Sequence, residues 1–364
     1  MHLHPIRSRP RIALAAAAAG LALCAGGALA TAHAAVPGAN GPIAFERFST
    51  KREDDRTSQI VVRAPSGAVR QITHFPGGAF NPAWSPDGTR IAFNRWFVAQ
   101  HLPDQILTMN ADGSAARPLV TGCTAADCLA DDAPAWSPDG TQIAFVRYYK
   151  PLVRDVPSAA DLMLVPATGG APTVLRHFAG DPLPGQPAWS PDGTRLVFAL
   201  ATTKVANKHT DELEALNVLV VATGAMTPIT PLALGASDPD WSPDGSLILF
   251  NSQGGHSPFV YVVRPDGSGL RRITRRTRVF SLKASDPKIA LVAQFQPSWS
   301  PDGRQILFTN EPKPCAGRHR DSCSHDPKDD QPQNVFVMNA DGTGVRLLIH
   351  SPRFEGQPAW AAAR

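Results

Sequence analysis

Short stretches in which apolar and polar positions alternate recur along the chain, among them Thr89-Arg90-Ile91-Ala92-Phe93, Thr141-Gln142-Ile143-Ala144-Phe145 and Arg304-Gln305-Ile306-Leu307-Phe308. A period of two marks a strand with one buried face. Helical periodicity is nearly absent. Between the apolar runs stand 35 prolines and 29 glycines, the punctuation of strands and turns. The pattern predicts an all-β chain.

The strands are spaced by a repeat. Pro-Ala-Trp-Ser-Pro-Asp-Gly stands at 82–88, 134–140 and 187–193, Pro-Asp-Trp-Ser-Pro-Asp-Gly at 239–245, and Pro-Ser-Trp-Ser-Pro-Asp-Gly at 297–303. A truncated copy, Pro358-Ala359-Trp360-Ala361, lies near the end. The tryptophans Trp84, Trp136, Trp189, Trp241, Trp299 and Trp360 are 52, 53, 52, 58 and 61 residues apart, the length of a four-stranded blade. In each copy a first strand ends at Trp, and Ser-Pro-Asp-Gly makes a tight turn. Pro sets φ at its second position and Gly takes the positive φ that closes the hairpin. An alternating strand follows, then a third strand ending in a second turn such as Asn110-Ala111-Asp112-Gly113, then a fourth. Gly41-Pro42-Ile43-Ala44-Phe45 matches a second strand with no Trp element before it, while Trp360 ends a first strand with nothing after it. The expected fold is therefore a six-bladed β-propeller of four-stranded antiparallel blades, closed by the C-terminal strand joining the N-terminal blade. The six tryptophans are assigned to packing between blades.

These repeats resemble the WD40-like Pro-Asp repeats of the TolB propeller family, over residues 40 to 361. The resemblance implies fold far more than function, because propellers host many tasks. TolB carries an α/β domain ahead of its propeller, whereas here the propeller pattern begins almost at once after the leader, which argues against the envelope-spanning role of TolB.

Arg7, Arg9 and Arg11 precede an apolar run from Ile12 to Ala30 that closes on Ala32-His33-Ala34, so residues 1–34 read as a secretory signal and 35–364 as the propeller. A retained anchor, or lipidation at Cys24, is the lesser alternative. Removing 1–34 takes away three arginines and no acid, leaving 32 basic against 31 acidic side chains. The exported chain thus has no general attraction to nucleic acid and needs no membrane insertion, and it is expected to be periplasmic or secreted and monomeric. Export also permits two local disulfides, Cys123–Cys128 and Cys315–Cys323. A zinc site around Cys315, His319, Cys323 and His325 is the weaker alternative, since its spacing fits no standard ligand pattern.

In a four-stranded meander the two short turns share one face of the ring, and the longer connections share the other. The irregular connections 46–57, 146–160, 199–212, 275–295 and 309–333 fall there, and function is expected on that long-loop face. Tyr148, Tyr149 and the arginine-rich stretch with Arg275, Arg276 and Arg278 are candidate contacts to a partner. Along the inner strands, Asn81, Gln186, Asp238, Gln296 and Gln357, with Asp132 nearby, form a candidate binding set at the channel mouth. If period two holds, Asp238 and Asp240 share a side and make a carboxylate pair that calcium would fit, although no cofactor is required. No catalytic residue stands out and no Gly-x-Ser-x-Gly elbow is present. The reading is an exported non-catalytic propeller that binds a protein or an envelope glycan. The alternative is a propeller enzyme, of lyase or lactonase type, with a site or metal at the channel mouth.

Overall fold

A computed structural model describes residues 37–49, 58–97, 102–123, 127–153, 156–206, 209–252, 259–274, 277–280, 289–291, 293–311 and 333–363. They form six four-stranded antiparallel sheets arranged as a ring. Blade 1 is built from both ends of the chain. Its inner strand is Glu355–Ala362, followed outward by Asn40–Phe48, Ser58–Arg63 and Val69–Gln71. Trp360 stands across from Ile43 and Ala359 across from Ala44, so the truncated last repeat supplies the strand that the first blade lacks. Blade 2 runs Ala79–Trp84, Arg90–Arg95, Gln105–Asn110, Arg117–Pro118, and blade 3 runs Cys128–Trp136, Gln142–Val153, Val156–Pro166, Thr173–Ala179. In blade 4 the inner strand is split into Leu183–Pro184 and Ala188–Trp189, ahead of Arg195–Ala206, His209–Val220 and Met226–Pro228. Blade 5 is Ala236–Trp241, Ile248–Ser252, Phe259–Val263, Arg271–Arg272, and blade 6 is Ala293–Trp299, Gln305–Glu311, Asn334–Asn339, Arg346–Ile349. A small hairpin, Thr277–Phe280 with Ile289–Leu291, is inserted between blades 5 and 6. No helix among the described residues is long and apolar enough to cross a membrane.

The core lies between blades. Each second strand buries one phenylalanine completely: Phe45, Phe93, Phe145, Phe198, Phe250 and Phe308. Trp136, Trp189 and Trp241 are among the largest fully enclosed side chains, Trp84 and Trp299 are buried, and Trp360 is half-buried. The indole N–H of Trp136 donates to Ala83 O and that of Trp189 to Ala135 O, each across to the preceding blade. Full burial of one tryptophan removes about 200 Å² from water, a gross gain of about 5 kcal/mol.

The Ser-Pro-Asp-Gly turns are locked twice over. In the first, Ser85 Oγ donates to Asp87 Oδ1 at 2.6 Å, Asp87 accepts the Thr89 N–H at 3.0 Å, and Gly88 N donates to Ser85 O at 2.8 Å. The same bonds recur at Ser137, Ser190, Ser242 and Ser300. Four of the five turn glycines then face the proline of the preceding blade's turn: Gly140 on Pro86, Gly193 on Pro138, Gly245 on Pro191 and Gly303 on Pro243. Around this face the turns stack into a belt.

Two expectations are corrected by the strands at the opposite end. Within 146–160 and 199–212 the described residues 146–153, 156–160, 199–206 and 209–212 are strands and not irregular connections. Apolar residues on one face, including Val146, Tyr148, Ala160 and Leu162, carry the pairing onward, so that Gln142–Val153 and Arg195–Ala206 are 12-residue arms of long hairpins. The inner strands also break period two. Across from Asn94 and Ala92 stand Phe80 and Ala83, one residue too many, and the same excess recurs in every blade. Each inner strand therefore carries a β-bulge three residues before its tryptophan.

The second turns seat as tightly as the first. A Cβ on Gly113 (φ +89°) would meet Ile72 O at 2.2 Å, and one on Gly342 (φ +85°) would meet Ile273 O at 2.2 Å, whereas nothing lies within 4 Å of that position at Gly224 (φ +68°). Left-handed φ penalises all three alike, so the overlap separates them. Gly113→Ala and Gly342→Ala are expected to cost at least about 2 kcal/mol in urea unfolding, and Gly224→Ala about 1 kcal/mol.

Candidate functional site: the bulged rim of the long-loop face

The bulge residues Asn81, Ala133, Asp238, Gln296 and Gln357 have φ of +52°, +56°, +53°, +54° and +50°. Left-handed backbone at a residue with a Cβ costs on the order of 1 kcal/mol, and the bulge releases its N–H from the ladder. Side chains take up those donors. Asn81 N donates to Glu46 Oε1 at 2.6 Å, Ala133 N donates to Asp132 Oδ1 at 2.8 Å and to Asn94 Oδ1 at 3.2 Å, and Gln357 N donates to Gln296 Oε1 at 2.9 Å. Three of these four bonds, all but that from Ala133 to Asp132, sew neighbouring blades together at the axis.

The predicted channel-mouth set is thereby distributed over several environments. Asn81, Gln186, Gln296 and Gln357 are buried, while Asp132 and Asp238 are half-buried. Asn81 Nδ2 donates to Asp132 Oδ1 at 2.9 Å, joining blades 2 and 3. Burial lifts the Asp132 carboxyl to about 6, against the N–H of Ala133 and the Asn81 amide, which lower it. Gln186 has both side-chain polar atoms buried with no partner among the described residues. Asp238 and Asp240 are not the carboxylate pair that period two implied, because the bulge falls at Asp238. Asp240 turns into the seam with blade 6, where its Oδ2 accepts the Trp299 N–H at 2.7 Å. Burial pushes its carboxyl up to about 8, so it is largely neutral at pH 7.

Second strands contribute a row of charge at the same end. Blades 1, 2 and 3 carry Arg47, Arg95 and Arg147, each two residues after the ring phenylalanine. Arg47 Nε donates to Glu355 Oε1 at 2.8 Å, directly across the inner strand. Arg147 grips Asp131 with two prongs, Nε to Oδ1 at 2.6 Å and Nη2 to Oδ2 at 2.8 Å, again directly across. Its row continues outward through blade 3, where Asp161 lies across from Arg147 on one side and from His177 on the other. Asp161 Oδ1 meets His177 Nδ1 at 2.6 Å, and its Oδ2 accepts the Tyr149 hydroxyl at 2.7 Å. Burial and that carboxylate push the Tyr149 phenol up to about 12.

Tyr148 is corrected as a partner contact. It is 3% exposed and donates its hydroxyl to Pro184 O at 2.9 Å, packing blade 3 on blade 4. Tyr149 stays half-buried at the rim. Cys123 and Cys128 form a disulfide with Cα atoms 5.2 Å apart, beside Asp131. These three make the one cluster of three metal-ligating residue types among the described residues, and the bonded sulfurs have no thiolate to offer a metal. Arg275, Arg276, Cys315 and Cys323, and the side chain of Arg278, lie outside the described residues.

Residues 133–294 match the family model of the TolB beta propeller domain. An uncharacterized protein of Agrobacterium fabrum is 25% identical over 297 residues, covering 81% of this chain and 84% of its own. The Tol-Pal system protein TolB of Francisella tularensis is 26% identical over 210 residues, covering 49% of this chain and 46% of its own. The crystal structure of TolB from Acinetobacter baumannii superposes with a TM-score of 0.61 at 15% identity, covering 89% of this chain and 67% of that one, a likeness of fold. The chain is a TolB-like propeller. It spans less than half the length of two of the curated relatives it matches.

In this propeller the arginine row carried a sequence signal that period-two reasoning on the inner strand passes over. Phe-x-Arg stands at 45–47, 93–95 and 145–147, and blades 4 to 6 have Leu200, Ser252 and Asn310 at the last position. Removing one partner of a buried pair strands the other. Arg147→Met is expected to cost about 3 kcal/mol in denaturant unfolding, most of it regained when Asp131→Leu is added. Asp240 yields a pH signature. Its folded value near 8 lies above the ordinary 3.8, so the stability it permits is full below about pH 4 and is lost as pH rises towards 8. Asp240→Asn should melt progressively higher than the parent from pH 5 to pH 8, with a constant gap above that.

Proposed function

We propose that this chain is an exported, non-catalytic binding propeller that engages a protein or an envelope glycan through its long-loop face. The observation that carries the reading is the inequality of the two faces. The short-turn face is a belt of near-identical locked turns, and a uniform belt offers little to read. On the other face the blade 3 and blade 4 hairpins have 12-residue arms, against 6 for the second strand of blade 2. At about 3.3 Å per residue the extra length raises a wall of roughly 20 Å beside the polar rim. A rigid ring carrying a wall and a polar rim on one side is the geometry of a docking surface. Export rests on the character of residues 1–34, and the likeness to a Tol-Pal system protein supports an envelope setting.

The enzyme alternative calls for groups converging at the channel mouth. Among the described residues, the acid–base pair of Asp161 with His177 lies on the third and fourth strands of blade 3, away from the axis.

The test is capture from envelope protein and glycan fractions by three immobilised forms: the parent, a variant with both hairpins trimmed to the length of blade 2, and a variant with charges added on the short-turn face. Binding retained by the short-turn variant and lost on trimming, at unchanged melting temperature, is the expected result. Binding indifferent to trimming would overturn the reading.

A further inference from the structure

The arginine row departs from its own pattern in one place. Arg47 and Arg147 each face an acid across the inner strand, Glu355 and Asp131. Arg95, at the same position in the blade between them, faces Ala79, which is fully buried and has no charge. The Nε of Arg95 is buried and has no acceptor among the described residues. The guanidinium lies over two rings instead, 4.3 Å from the centroid of Phe97 and 4.9 Å from that of Phe75. By contrast, Arg47 and Arg147 lie over the ring phenylalanines of their own blades, Phe45 and Phe145, at 5.4 and 5.9 Å. Arg95 is thus a half-exposed cation between aromatic walls, with its Nε buried, at the end of the ring where the connections are longest.

We propose that Arg95, walled by Phe75 and Phe97, is an anchor for a carboxylate of a partner peptide. The inference rests on the binding reading above and names the chemistry that the face would select. Three features support it. The half-exposed Arg95 guanidinium has no carboxylate partner among the described residues, and a ligand carboxylate at its accessible edge supplies one. The fork suits a bidentate carboxylate, and a low local dielectric strengthens that bond. The choice of an amino-acid carboxylate follows from the neighbouring blades, where the same backbone frame places Asp131 and Glu355 against the same arginine. Phe75 and Phe97, both half-buried, offer apolar surface to residues flanking the acid. The carboxylate source is either an Asp or Glu side chain or a chain terminus.

Two experiments test it, one of them independent of any partner. In the first, Ala79→Asp places in blade 2 the acid found in blade 3. A double-mutant cycle with Arg95→Met should show that the introduced carboxylate is tolerated when Arg95 is present and strongly destabilising when it is absent. A cycle with no coupling would overturn the proposal whatever the protein binds. In the second, fluorescein-labelled peptides with blocked ends and a single Glu between Phe and Leu residues are titrated by fluorescence anisotropy against their Gln isosteres, alongside neutral peptides with a free C-terminus. Glu or free-terminus peptides should bind at least roughly tenfold more tightly than their isosteres, and Arg95→Met and Ala79→Asp should each abolish that difference while the Gln peptides stay unchanged. Which probe shows the difference identifies the source. Absence of any difference in the parent, or a difference that survives Arg95→Met, would overturn the anchor, while hairpin-dependent capture would still leave the docking face standing.

Discussion

The inner strand of each blade has to satisfy two surfaces at once. Near its end the tryptophan must enter the seam between blades, and a few residues earlier the strand must pass the crowded axis, where six such strands converge. A regular strand cannot do both, because period two would keep each side chain on the face that its neighbour two residues away occupies. One inserted residue three positions before the tryptophan resolves the conflict by turning the chain locally, and it recurs in every blade. In five of the six blades the cost is a residue at positive φ and an N–H with no ladder partner. Most of what is polar about the axis follows from that cost. Glu46, Asn94, Asp132 and Gln296 are acceptors for released N–H groups before they are anything else.

Electrostatics follow the same architecture. Carboxylates near the axis are withdrawn from water by the convergence of the strands, and burial lifts them towards neutrality, Asp132 to about 6, Asp240 to about 8 and Glu355 to about 7 even with Arg47 across from it. Where an arginine stands across the strand, as at Asp131, its two-pronged grip holds the pair together within the sheet. The second-strand position two residues after the ring phenylalanine therefore decides, blade by blade, whether charge is stored internally or presented. Blades 1 and 3 store it. Blades 4 to 6 carry none there. Blade 2 has the cation without the acid, so it departs from a local rule that its neighbours obey.

The sequence disclosed the fold almost in full, because the repeat is a physical unit. Trp-Ser-Pro-Asp-Gly encodes a strand end, a turn with its own hydrogen bonds and a glycine fitted to its neighbour, and five copies plus a truncated sixth leave only one way to close the ring. The candidate site was less legible, for a reason that can be named. Period two assumes a regular strand, and nothing in Ala133, Gln296 or Gln357 announces a bulge, since alanine and glutamine are poor residues for positive φ. The assumption paired Asp238 with Asp240 and so pointed to a cation where the structure seals Asp240 against Trp299. Tyr148 misled differently. Beside Tyr149 it reads as a contact to a partner, yet the hairpin continues past it and turns it inward.

That contrast explains where function can be written on such a scaffold. Residues that repeat are bound by the ring: altering one turn glycine or one tryptophan disturbs two blades, because each is packed against the next. Freedom to vary remains at the far end of the second strands and in the hairpins, where one blade can change without unseating its neighbour. Aromatic and charged groups gathered there are held by a backbone that closure and the bulge bonds have already made rigid. A ligand group meeting them would find the guanidinium and its walls in place and would bear little ordering entropy of its host. The uniform half of the repeat thus stiffens the ring and sets the geometry in which its exceptions can act.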